Sequence, residues 1–194
     1  MARQYFNNLL ADSLVAALST TPTTTKTTLF TQAQANLYLP VPYGVNAPSV
    51  GQVFRFALGG ILTTPTTGTL VIDPYYGSNT STTTFGTDMG ASAAQTYTAS
   101  VTNVPWRIEG ELVFRSISAT ASSSTAWLTG QFVSQGAIAT AGSAWVQVFG
   151  STAAVTVDTT GTVTTASQNL NFAVTFSVTG ATIIVEWTSM QALN

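Results

Sequence analysis

The chain has 194 residues, 45% of them hydrophobic, with a formal net charge of −2 and neither cysteine nor histidine. These absences exclude disulfides, thiolate nucleophiles and Ser–His or Cys–His catalysis, and five basic residues are too few to follow a nucleic-acid backbone. Only 6% of residues are charged, against about 25% in an ordinary soluble domain, so we expect a neutral subunit that associates with others. We expect no enzyme activity, no cofactor, no metal and no nucleic-acid partner.

Residues 1–28 differ in composition from the rest of the chain. Apolar residues recur at roughly helical spacing up to Leu18, which predicts a short helix or an arm, either packed on its own domain or clasping a neighbouring subunit. Its candidate contact residues are Tyr5, Phe6, Leu9 and Leu10. The tract TTPTTTKTT that follows, residues 20–28, is too polar for a core and predicts a linker. No apolar run approaches the ~18–20 residues of a membrane helix, so no membrane partner is expected.

Residues 29–194 predict a single all-β domain. β-Branched and aromatic residues alternate with polar ones, and clusters of Gly, Pro, Ser and Asn separate the alternating segments. The main predicted strands are 52–58, 68–76, 106–118, 126–134, 143–150, 169–178 and 182–190. About eight or nine strands without a βαβ unit favour an antiparallel β-sandwich.

Three local features refine this prediction. Pro74 indicates that its strand ends there or lies at a sheet edge. Residues 77–93 read as a long loop without a period, which is typical of functional or partner-bound segments. Gly180 and Ala181 separate the last two strands and predict a tight hairpin between them.

The segment WRIEGELVFRS, residues 106–116, holds four of the twelve charged residues. On a strand, Arg107, Glu109, Glu111 and Arg115 share the face opposite Trp106, and so point away from the core. Two glutamates at this spacing could form the carboxyl pair of a glycoside hydrolase. The alternative is a charged ladder on a sheet face or a subunit interface, with Arg55 and Glu186 as cross-strand partners.

Other candidates are weaker. Aromatic residues could form a sugar-stacking platform: Trp127, Trp145, Trp187, Tyr38, Tyr43, Tyr75, Tyr76 and Tyr97. Asp73, Asp88 and Asp158 lack the spacing of a calcium loop and are expected to be solvated. Lys26 lies in the Thr tract, where we expect no dry pocket that would give it a chemical role.

The central strand and the two closing strands resemble the small jelly-roll proteins of tailed-bacteriophage virions. The matching residues of the central strand are Trp106, Arg107, Ile108, Glu109, Leu112, Arg115 and Ser116. The resemblance implies a β-sandwich of jelly-roll type and a capsid decoration (cement) protein, often a homotrimer. Such a protein is assembled in the host cytoplasm and binds the major capsid protein on the outer surface of the phage head. An accessory tail or fibre subunit with host-glycan binding is the alternative that it implies.

Overall fold

The computed structural model describes residues 8–20, 24–29, 49–77, 85–97, 100–118, 124–135, 144–157 and 169–193. In these ranges the chain is all-β, with twelve strands and no helix. The strands are β1 (Asn8–Thr20), β2 (Thr27–Thr28), β3 (Val53–Thr64), β4 (Gly68–Gly77), β5 (Thr87–Asp88), β6 (Gln95–Tyr97), β7 (Val101–Ser116), β8 (Ser124–Gln135), β9 (Ala144–Gly150), β10 (Val155–Val157), β11 (Asn169–Phe176) and β12 (Thr182–Leu193). Within the described part of the chain, nothing has the helical length and apolar character that a membrane crossing requires.

The strands form two antiparallel sheets. Sheet A has the order β1-β12-β3-β7-β8, and both β9 and β10 pair with β8. Sheet B has the order β2-β11-β4, and both β5 and β6 pair with β4. The pairing is nested along the chain, because β1 pairs with β12, β2 with β11, β3 with β7, and β4 with β5 and β6. The expected antiparallel β-sandwich is confirmed at this level.

The core lies between the two sheets and is rich in aromatic rings. Phe172 of sheet B packs on Phe56 and Phe149 of sheet A, with ring centroids 5.3 Å and 5.9 Å away. Gly110 and Gly130 face each other in β7 and β8. A Cβ atom at Gly110 would lie 2.6 Å from the Phe56 ring, and one at Gly130 would lie 2.5 Å from the Phe149 ring. The glycine pair therefore provides the space that these rings occupy.

A buried glutamine joins the sheets beside β9. Gln147 of β9 donates through Nε2 to the Leu70 carbonyl of β4 at 2.9 Å and to Ser92 Oγ at 2.7 Å. The Ser92 hydroxyl in turn accepts the backbone N–H of Ile72 at 2.9 Å. Most buried polar groups are hydrogen-bonded, and these contacts satisfy the amide nitrogen of Gln147, which is 1% exposed, while its Oε1 has no hydrogen-bond partner among the described residues.

The short helix predicted near the N-terminus is wrong, because residues 8–20 form β1. This strand pairs with β12 from Asn8 to Thr20, with register shifts after Leu9 and after Leu14. An isolated helix of this length is marginal in water, whereas a strand beside β12 gains hydrogen-bond partners over most of its length. β2 likewise pairs with β11, so the region 1–28 contributes a strand to each sheet.

The predicted hairpin between the last two strands is also wrong. β11 belongs to sheet B and β12 to sheet A, so the connection between them crosses from one layer to the other. Both edges of β11 are occupied by β2 and β4, and both edges of β12 by β1 and β3. The connection between β11 and β12 contains Gly180, whose φ of 87° lies in the left-handed region that glycine adopts without strain.

The segment around Pro74 is more regular than predicted. β4 continues through Pro74 to Gly77, with β11 on one side, and the Pro74 carbonyl accepts the N–H of Met89 at 3.0 Å. The predicted loop 77–93 contains β5, and Met89 is fully buried. Residues 78–84 of that loop lie outside the described residues.

Candidate functional site

Strand β7 divides its side chains between the core and the surface as predicted. Trp106, Ile108, Leu112 and Phe114 are buried between the sheets. The charged residues point to the other side, because burial alternates strictly along the strand from Pro105 to Arg115 except near Gly110. Alternation with period two places all four charges on one surface.

This surface is the outer face of sheet A. It consists of the outward side chains of β12, β3, β7, β8 and β9, in the registers that pair these strands. Its principal residues are Arg55, Arg107, Glu109, Glu111, Arg115, Trp127, Gln131, Val146, Val148 and Trp187.

Two ion pairs occupy the centre of the outer face of sheet A. Arg55 of β3 pairs across the strands with Glu111 of β7, with Nη2 2.8 Å from Oε1. Arg107 pairs along β7 with Glu109, with Nη2 2.7 Å from Oε2. The other carboxylate oxygen of Glu109 accepts a hydrogen bond from Gln131 Nε2 at 2.9 Å. The predicted Arg55 partnership is confirmed.

The fourth charge, Arg115, has an aromatic neighbour. Its guanidinium carbon lies 4.7 Å from the centroid of the Trp127 ring, which is the geometry of a cation–π contact. Glu186 lies at the bulge where β12 shifts register between Val185 and Trp187. Among the described residues it pairs with neither Arg55 nor Arg107, so its predicted place in the ladder is wrong.

Exposed apolar side chains lie on one side of the ion pairs, on β8 and β9. In the described ranges the exposed large hydrophobic residues are Val50, Trp127, Val146 and Val148, and the last three lie on the outer face of sheet A. Val148 also borders a shallow depression of about 290 Å³ lined by Glu109, Glu111, Thr129 and Gln131. Clustered exposed apolar residues with a polar surround are typical of a surface that binds another macromolecule.

The ion pairs contribute little to folding. The arginine side chains are 56–57% exposed and the glutamates 37–39%, and pairs of this kind contribute about 0–1 kcal/mol. A chain with few charges nevertheless places five of them on this face. Ionic groups at interfaces contribute to specificity more than to affinity, and the predicted role of these charges at a subunit interface stays a prediction.

The carboxyl pair Glu109 and Glu111 does not form a cleft. Each glutamate is engaged by an arginine, and both lie on an open sheet face. Glycoside hydrolysis requires two carboxyl groups on either side of a bound sugar. The expectation of no enzyme activity stays a prediction.

The structure does not test the four predicted interface residues near the N-terminus. Tyr5 and Phe6 lie outside the described residues, and Leu9 and Leu10 lie in β1 at the edge of sheet A. Their predicted role as an interface stays a prediction.

Among the residues whose side chains the structure describes, which exclude Trp145 of β9, the predicted sugar-stacking platform is not assembled. Tyr75, Tyr76 and Tyr97 are buried, with exposures of 6%, 2% and 1%. Trp187 is half-buried and Trp127 is exposed. Tyr38 and Tyr43 lie outside the described residues.

Sequence reasoning missed a buried polar cluster on sheet B. The Lys26 ammonium lies 3.0 Å from Asp73 Oδ2 and donates a hydrogen bond to the Tyr75 hydroxyl at 2.5 Å. It also lies over the rings of Tyr75 and Phe85, 5.2 Å and 5.8 Å from their centroids. The side chain of Asp73 is 4% exposed, so the expectation of a solvated aspartate is wrong at this position.

Burial sets the electrostatics of this cluster. Loss of solvent raises the pKa of Asp73 above 3.8, although the Lys26 ammonium acts in the opposite direction. For Lys26, burial alone would lower the pKa, but the hydrogen bonds to Tyr75 and Asp73 outweigh it and raise the pKa above 10.5. Burial also raises the pKa of Tyr75.

One signal could have revealed the cluster. In LVIDPYY, residues 70–76, Asp73 is the only charged residue of an otherwise apolar and aromatic strand. A carboxylate in such a strand needs a cationic partner, and Lys26 is the one lysine in the sequence.

The described residues hold no group of three or more acidic, Cys or His side chains placed to bind a metal. Asp88 uses Oδ1 to accept the N–H of Gly90 at 2.7 Å, and Asp158 lies outside the described residues. Comparison with family models, with curated proteins and with solved structures finds no match for this chain.

Proposed function

We propose that this chain is a structural virion protein that decorates and stabilises the outer surface of a phage head. The observation that carries the proposal is the outer face of sheet A, where charges are neutralised by each other and exposed apolar residues stand beside them. Such a face suits association with other subunits. The protein acts by docking, and its partner on the particle is the major capsid protein.

The strand order supports a β-sandwich of jelly-roll type. A jelly roll is a long antiparallel hairpin wound into two sheets, so strands pair in nested fashion from the termini inward. The pairs of β1 with β12, β2 with β11, β3 with β7 and β4 with β6 follow this rule. In this interpretation β8, β9 and β10 extend sheet A and widen its outer face.

The surface chemistry supports the same role. A charge-poor surface lacks the self-repulsion that keeps soluble proteins apart. On a capsid, the same weak contact is repeated at equivalent sites. When one unit engages several capsid subunits at once, its overall affinity exceeds that of each contact by a large factor. A decoration protein that bridges neighbours in this way resists their separation under internal pressure.

The proposal is tested by adding the purified chain to capsids assembled without it and counting bound copies. We expect saturable binding to the outer surface and a higher temperature of capsid opening. Replacing both Trp127 and Val148 with serine is expected to reduce occupancy at least about tenfold, equivalent to about 1.4 kcal/mol. The stability of the isolated chain should change by about 1 kcal/mol or less, because both residues are exposed.

Val50→Ser is the matched control, because Val50 is equally exposed but lies in the turn before β3. Its occupancy should equal that of the wild type. Absence of binding to any capsid would contradict the proposal. Binding only to tails would also contradict it and would favour the alternative, an accessory tail or fibre subunit.

A further inference from the structure

We propose that the outer face of sheet A binds the same face of a second copy, about a two-fold axis that runs parallel to the strands between β3 and β7. The inference rests on the proposed function, because it concerns the docking face described above: in the free chain a second copy occupies this face, and docking on the capsid displaces it. It follows from the order of side chains across that face.

Two rows of paired residues across the face each have one chemical character. One row is apolar and consists of Leu193, Val53, Val113 and Trp127. The next row is polar or charged and consists of Gln191, Arg55, Glu111 and Thr129.

Two further rows continue across the same strands. The first consists of Ser189, Ala57, Glu109 and Gln131, and the second of Trp187, Gly59, Arg107 and Val133.

A two-fold axis parallel to the strands places each row of one copy opposite the same row of the second copy. It exchanges β3 with β7 and β12 with β8, so the apolar row of one copy meets the apolar row of the other. Trp127 then lies opposite Leu193 of the second copy, and Val133 opposite Trp187. Thr129 falls opposite Gln191 in the same way, whereas Glu109 and Arg107 fall opposite the small residues Ala57 and Gly59. Such self-complementarity is the requirement for a two-fold interface.

One of the two ion pairs obeys the same symmetry. The Arg55–Glu111 pair lies across the strands, with the arginine on β3 and the glutamate on β7. The axis between these strands reverses the pair in the second copy, so that Arg55 of each copy faces Glu111 of the other. The face as a whole is close to neutral, which favours neither an acidic nor a basic partner.

The extent of the face suits a reversible dimer. The four strands that the axis exchanges, at about 4.8 Å spacing and with about eight residues each at about 3.3 Å, cover roughly 500 Å² in projection. Stable interfaces bury about 800 Å² of accessible surface per partner, and protruding side chains make the accessible area larger than the projection. Two sheets packed with nearly aligned strands are an ordinary arrangement in proteins.

The test measures the oligomeric state of the full chain by sedimentation velocity at about 1–100 µM. This range covers dissociation constants in the micromolar range, which correspond to about −8 kcal/mol or weaker. We expect a concentration-dependent monomer–dimer equilibrium. Arg55→Glu alone and Glu111→Arg alone should each raise the dissociation constant at least about tenfold, because like charges then face each other.

A mixture of these two variants should form a heterodimer. The carboxylate introduced by Arg55→Glu in one copy would then face the guanidinium introduced by Glu111→Arg in the other. A role confined to one chain would not produce that rescue. Trp127→Glu should also weaken the dimer, whereas Val50→Glu should leave it unchanged.

A wild type that stays monomeric throughout, or single variants that dimerise as well as the wild type, would overturn the inference. So would a mixture that forms no heterodimer. The failures are separable: a monomer that saturates capsids overturns only the dimer, and a dimer that binds no capsid overturns only the proposed function.

Discussion

Replacing Lys26 with methionine is expected to lower the free energy of unfolding by about 3 kcal/mol. The change leaves the Asp73 carboxylate, which is 4% exposed, without the ammonium at 3.0 Å. An uncompensated buried charge is among the most destabilising defects in a protein. We place the effect at the lower end of the usual range because Lys26 itself is 36% exposed and water can reach the site. Urea unfolding measures it.

Two variants serve as controls for this result. Arg55→Met removes a cation from an exposed pair and should change stability by about 1 kcal/mol or less. Adding Asp73→Asn to Lys26→Met removes the orphaned charge and should recover at least about half of the loss. A double variant as unstable as Lys26→Met would show that lost packing, rather than the buried charge, causes the effect.

The loss of unfolding free energy in Lys26→Met should also depend on pH. Burial raises the pKa of Asp73, so the folded state holds this proton more tightly than the unfolded state. The contribution of this carboxyl group to stability therefore falls as the pH rises from about 3.8 through the raised pKa. Without Lys26 the pKa rises further. The deficit of Lys26→Met should accordingly be largest near pH 7 and shrink as the pH falls towards 4.

Replacing Phe172 with alanine is expected to cost about 4 kcal/mol of unfolding free energy. Phe172 is fully buried and is the ring of sheet B that contacts both Phe56 and Phe149 of sheet A. Its removal opens a cavity between the layers. The Phe56 and Phe149 rings lie so close to Gly110 and Gly130 that a Cβ atom at either glycine would contact them. An interior packed this closely relaxes little around a cavity.

Val50→Ala is the control, because an exposed valine outside the sheets should change stability by no more than about 0.5 kcal/mol. Phe172→Leu keeps part of the side-chain volume and should cost clearly less than Phe172→Ala. A loss below about 1 kcal/mol for Phe172→Ala would contradict the packing of the two sheets on this ring.

Local alternation was enough to predict which side chains enter the core. The inward set of β7, from Trp106 to Phe114, and the inward set of β11, from Leu170 to Phe176, follow directly from the period of two. The same period placed Arg107, Glu109 and Glu111 together on the outside. These features depend only on neighbours in sequence.

The choice of strand partner could not be predicted in this way. β11 and β12 are separated by only a few residues, yet they lie in different sheets, because their edges pair with strands far away in sequence. The contact between Lys26 and Asp73 joins residues 47 positions apart across such a pairing. For β1, apolar residues at helical spacing were misleading, because the edge of β12 decides its conformation.

The central claim is that the chain is a docking subunit of a virion surface, and imaging intact particles tests it most directly. Maps of particles with and without the protein should differ by density on the outside of the head, at equivalent positions related by the capsid symmetry. Particles that look identical with and without it, or density confined to the interior, would contradict the account.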